Sequence, residues 1–177
     1  MQQRTLQQGK KNPNTTRKTV KSACRRHRLL VIGDSHIRGL SEKISNFLND
    51  SFIVLGITKP NADIETITSP MHLKMGKLTK EDLIIFLGRT NDISRNEAKK
   101  GLRSLKNFTQ RTINTSLILL GAPHKCDLPP QSCVNTEVKL YNKRLQSLVS
   151  VSNHVKVLST PIERRHHTRH GLHLTLR

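Results

Sequence analysis

The chain has 177 residues, enough for one domain with a real core, and its 34% apolar content includes only 3% aromatics and no Trp, so that core must be aliphatic. A formal charge of +19, from 31 Lys plus Arg against 12 Asp plus Glu, predicts attraction to polyanions. No apolar run approaches the roughly 20 residues that span a bilayer. The first 27 residues also lack the apolar centre of a secretory signal, so the expected location is intracellular, cytoplasm or nucleus, with no membrane partner.

Before Asp34 the chain carries nine Lys or Arg and no carboxylate. Residues 1–27 read as a disordered basic tail, and 4–28 as a segment able to neutralise nucleic-acid phosphates without reading sequence. The plain alternative is a solvated arm with no partner. One Tyr and four Phe leave little to stack on bases. Cys24, Cys126 and Cys133 are odd in number, which argues for reduced thiols over a disulfide framework.

From residue 28 the pattern changes. Arg28 to Gly33 is a short apolar run closed by glycine and reads as a buried strand. His36 to Asn49 shows a helical stripe at Ile37, Leu40, Ile44, Phe47 and Leu48. Four more strand-length runs follow at 51–57, 82–87, 115–120 and 154–158, separated by helix-compatible stretches that include 96–111 and 136–150. Residues 121–135, with Pro123, Pro129 and Pro130, read as a surface loop. This alternation predicts an α/β three-layer sandwich, with a mostly parallel five-stranded sheet and helices on both faces. In such sheets the site forms at the carboxyl ends of the strands, where Ser35 and Asn91 fall.

Three stretches then stand out: Gly33-Asp34-Ser35-His36, Gly88-Arg89-Thr90-Asn91-Asp92 and His170-Gly171-Leu172-His173. Each alone has a simpler reading. Ser35 suits the cap of a helix beginning near His36, Asn91-Asp92 a turn and cap before a helix near Arg95, and Asp34 a loop anchor. His166, His167, His170 and His173 also raise a zinc reading, but Arg164, Arg165 and Arg169 would repel a cation and no carboxylate follows Glu163. Neither a metal nor a cofactor is expected.

Taken together, residues 28–177 resemble the SGNH, or GDSL-like, hydrolases, which share the flavodoxin-like sheet order. The resemblance implies Ser35 as nucleophile, His173 as general base and Asn91 as oxyanion donor, acting on an ester or acetyl group of a small molecule or carbohydrate. Gly33 to Leu40 together with Arg169 to Leu174 is similar, more narrowly, to esterase-like domains of insect genomes and of some retroelement-derived proteins.

Three positions depart from the family pattern. Asn61, in Lys59-Pro60-Asn61-Ala62, stands where a glycine gives its N–H to the oxyanion, and asparagine tolerates the left-handed backbone better than other side chains. Arg89 replaces a glycine before Thr90. His170 replaces the aspartate that orients the base, which implies a Ser-His dyad with His173 oriented by a backbone carbonyl or water, and lower activity than a full triad. A family member would usually continue into a closing helix, so the C-terminus is expected to be truncated. The alternative function is a catalytically weak or inactive module of this fold, retroelement-derived and binding nucleic acid through its tail.

Overall fold

The computed structural model describes residues 26–48, 50–69, 78–88, 90–159 and 164–166. Five strands, β1 (His27–Gly33), β2 (Phe52–Thr58), β3 (Leu83–Leu87), β4 (Ser116–Leu120) and β5 (Val155–Leu158), form one sheet in the order β2-β1-β3-β4-β5, every pair parallel. Because both faces of a parallel sheet are covered, the central strands read as unbroken apolar runs. In β1, Leu30 and Ile32 point to one face and Leu29 and Val31 to the other.

The helices are α1 (Leu40–Phe47), α2 (Ile64–Ile67), α3 (Thr90–Ser94), α4 (Ala98–Arg111) and α5 (Cys133–Val149). Ile64, Ile67, Leu105, Phe108, Tyr141 and Leu145 from α2, α4 and α5 bury one face of the sheet, while α1 covers the other through Leu40 and Ile44. The helical stripe expected from His36 to Asn49 is split. A 3-10 turn, Ser35–Ile37, comes first, and Gly39 at φ 75° then redirects the chain into α1. Helix α5 starts at Cys133, three residues earlier than expected, because Ser132 caps it by accepting the Asn135 N–H. The preceding loop is pinned to α5 by Asn142, whose amide exchanges two hydrogen bonds with the Ala122 backbone.

At the amino end of the sheet Asp82, buried just before β3, accepts from the Arg28 N–H at 2.8 Å, from Arg28 Nη2 at 2.7 Å and from the Thr79 N–H at 2.7 Å. Burial works to raise its pKa, but the Arg28 and Thr79 donors and the guanidinium charge outweigh it and hold the carboxyl well below its usual range. This latch ties β1 to the start of β3, away from the carboxyl edge. Among the described residues no helix is long and apolar enough to cross a membrane.

Candidate active site

Strand β1 must end in glycine. A Cβ on Gly33 would stand 1.7 Å from the Leu87 carbonyl oxygen of β3, so no other residue fits without separating the strands. The chain then turns at Asp34, whose N–H bonds Leu87 O at 3.2 Å. Asp34 is 1% exposed, and its Oδ1 accepts the His36 N–H at 3.0 Å and the His36 ring Nδ1 at 2.8 Å. Since a carboxylate only accepts, Nδ1 of His36 carries the proton. Oδ2 is reached by the Thr90 hydroxyl at 3.4 Å. Asp34, rather than Ser35, therefore caps the 3-10 turn, which leaves the Ser35 hydroxyl out of the capping role the sequence allowed it.

The turn after β2 lies alongside. Lys59 N–H bonds Gly33 O at 2.8 Å, and Ala62 N–H closes back on Lys59 O at 3.3 Å. Pro60 and Asn61 occupy the two central positions, with Asn61 at φ 56°, the pattern of a type II turn. The left-handed backbone expected of Asn61 is thus adopted. After β3, α3 carries Asn91, whose Nδ2 donates to Ala62 O at 2.9 Å. One amide hydrogen is spent on that bond, and among the described residues the other has no hydrogen-bond partner.

Ser35, Asn61 and Asn91 accordingly lie on the loops that follow three neighbouring strands, β1, β2 and β3, loops joined by the Lys59–Gly33, Thr90–Asp34 and Asn91–Ala62 hydrogen bonds. His173, His170 and Arg89 lie outside the described residues, as does the basic segment 4–25. Among the described residues no group of three or more His, Cys, Asp or Glu could hold a metal ion. Cys126 and Cys133 are free thiols.

Two groups at this edge escape a reading of local sequence. Arg95, after α3, donates from Nη2 to Asn61 O at 2.9 Å and to Asn61 Oδ1 at 3.0 Å. Asp92 is 1% exposed and accepts the Ile64 N–H at 3.1 Å. Burial pushes its pKa up to about 6, assisted by the charges of Asp63 and Glu97 and opposed by the Ile64 N–H. Asp92 was marked in sequence only as part of the stretch Gly88 to Asp92, with no signal for its burial, and Arg95 carried no signal at all. Two open clefts lie elsewhere. One of about 540 Å³ runs between α2 and α4 beside Thr68, Asn107 and Arg111, and one of about 510 Å³ is lined by Ile113, Val151 and His154. Among the described residues, converging hydrogen bonds mark the carboxyl edge.

The architecture is the α/β fold also found in GDSL-type esterases and acylhydrolases. A lipolytic protein of the G-D-S-L family from Veillonella parvula superposes with a TM-score of 0.63 at 13% identity over 75% of this chain and 77% of that one. The psychrotrophic esterase EstA from Pseudoalteromonas sp., in a structure inhibited by monoethylphosphonate, gives 0.62 at 12% over 84% and 87%. A Streptococcus pneumonia protein provisionally named a platelet activating factor gives 0.65 at 20% over 88% and 79%. No protein-family model matches the chain, and no curated protein matches its sequence. At these identities the likeness establishes the fold.

Proposed function

We propose that this chain is a serine hydrolase that cleaves an ester or acetyl group of a small molecule or carbohydrate. The observation that supports the reading is the hydrogen bonding between the loops after β1, β2 and β3, which carry Ser35, Asn61 and Asn91, in a fold used by esterases. Ser35 Oγ attacks the carbonyl carbon while His173 takes its proton. The oxyanion that forms is met by the free amide hydrogen of Asn91 and by the backbone N–H groups of Ser35 and Asn61. Collapse expels the alcohol, which receives the proton from His173. Water activated by the same imidazole then releases the acyl group from Ser35.

Asp34 supports this arrangement from below rather than by orienting the base, since both its oxygens are engaged by His36 and Thr90. His170 stands where a triad carboxylate would, so the chemistry is that of a Ser-His dyad. The domain is read as residues 28–177 and 1–27 as a basic tail, a boundary that moves back by one residue because His27 already pairs with Phe52 at the start of β1. The tail's charge supports a second reading, a weak or inactive member of the fold that binds nucleic acid through residues 4–28. A retroelement origin rests on Gly33 to Leu40 and Arg169 to Leu174 alone.

A fluorophosphonate probe tests the first reading. The full chain should label and Ser35→Ala should not, with the same melting temperature. Equal or absent labelling in both would overturn the hydrolase and leave the binding module. Truncation of residues 1–28 should then reduce the salt dependence of duplex binding.

A further inference from the structure

The turn that presents Asn61 is held in a backbone conformation that asparagine adopts more readily than other side chains but less freely than glycine. The third position of a Pro-initiated type II turn wants positive φ, which glycine adopts freely and an L side chain only at a steric cost. Asn61 sits there at φ 56°. Left unassisted, it gains by rotating back to negative φ, and that rotation carries its N–H away from the edge.

Arg95 opposes the rotation. One guanidinium nitrogen, Nη2, bonds both the main-chain O of Asn61 at 2.9 Å and its side-chain Oδ1 at 3.0 Å. Both acceptors lie within reach of one donor only while backbone and side chain fold toward the same side. The clamp is itself anchored. Arg95 N–H bonds Asn91 O at 3.0 Å, and Asn91 Nδ2 bonds Ala62 O at 2.9 Å. A single helical turn, 91–95, thus grips consecutive peptides of the 59–62 turn.

We propose that Arg95 is a positioning residue for the oxyanion site: it locks Asn61 in the left-handed conformation, so that an asparagine presents the N–H that glycine presents in the proteins this chain resembles. The proposal rests on the serine-hydrolase reading. Arg95 touches no reacting atom, and its role is confined to the geometry of Asn61. Because Arg95 is exposed, its truncation opens no core cavity.

The test is a cycle of full-length Arg95→Ala, Asn61→Gly and the double variant. It is read by the rate of fluorophosphonate labelling, by kcat and KM on p-nitrophenyl acetate, and by amide hydrogen exchange at Ala62. Arg95→Ala should lower kcat by roughly tenfold or more, as expected when a transition-state donor is misplaced, with KM nearly unchanged. In the Asn61→Gly background the same substitution should cost less than about twofold, because glycine needs no clamp. An equal loss in both backgrounds, or no loss in either, overturns the proposal. Should the wild-type chain neither label nor hydrolyse, the hydrolase reading falls and amide exchange decides the clamp alone. Faster Ala62 exchange in Arg95→Ala, restored by Asn61→Gly, supports the clamp; unchanged exchange sinks it.

Discussion

Two buried aspartates bracket strand β3, and their environments pull in opposite directions. Asp82, at the amino end, is matched by the Arg28 guanidinium and by two backbone donors, and stays ionised far into acid. Asp92, at the carboxyl end, is buried beside the negative charges of Asp63 and Glu97, which outweigh the backbone donors of Ile64 and of Asp92 itself, so its proton is held up to about pH 6. One end of the strand is arranged for stability. The other tolerates a carboxyl of raised pKa and an asparagine at positive φ in the loops that carry Ser35 and Asn91. Such local costs accumulate where geometry is constrained by something other than stability.

Breaking the carboxyl end should show first in chemistry. Asn91→Ala should slow fluorophosphonate labelling by about 10²- to 10³-fold, the usual cost of losing one oxyanion donor, while the protein stays folded. A labelling rate within twofold of wild type would remove Asn91 from the site.

Breaking the amino end should show in stability alone. Asp82→Asn removes the carboxylate charge that faces Arg28 and should cost about 3 kcal/mol in denaturant unfolding, with the labelling rate per folded molecule unchanged. The sign of its pH dependence follows from a lowered native pKa. Asp82's contribution is full above the unfolded value of 3.8 and is lost as pH falls through the lower native value, so the variant should show a shallower acid limb than wild type.

Asp92 sharpens the contrast because its sign is reversed. With the native pKa raised from 3.8 to about 6, the folded state holds the proton more tightly, and stability from this group is full below 3.8 and lost as pH rises to about 6. Asp92→Asn removes that loss and should raise stability at pH 7 by about 1 to 3 kcal/mol. Urea melts at pH 4 and pH 7 would check it. A variant less stable than wild type at pH 7 would show that the ionised carboxylate is needed by Ile64.

The smallest effect is expected at Lys100, which sits 3.2 Å from Glu65 and 3.6 Å from Asp63 on the surface. Lys100→Gln should leave the melting temperature unchanged in 0.15 M salt, since water and ions already screen exposed pairs.

Much of the fold was legible locally. The runs 28–33 and 82–87 are short and apolar, with a glycine at or directly after the end, and they correspond to β1, which also takes in His27, and to β3, with Asp82 displaced into the latch. The early start of α5 and the split of the first helix depended on Ser132 and Gly39, single residues whose caps and angles a periodicity reading averages over. At the site, Ser35, Asn61 and Asn91 were marked by their place after strands, whereas Arg95 was not, because its partner is 34 residues away.

Sequence by itself determined the aliphatic parallel sheet, the positions of the loops at its carboxyl edge, and the residue types available there, because strand length, periodicity and turn chemistry are local properties. Tertiary structure decided the rest: that Asp34 caps the turn in place of Ser35, that Arg95 reaches Asn61, and that Asp82 and Asp92 move apart in acidity. Those outcomes depend on which donors, charges and solvent surround each group once the strands are paired, and pairing joins residues that the chain keeps far apart.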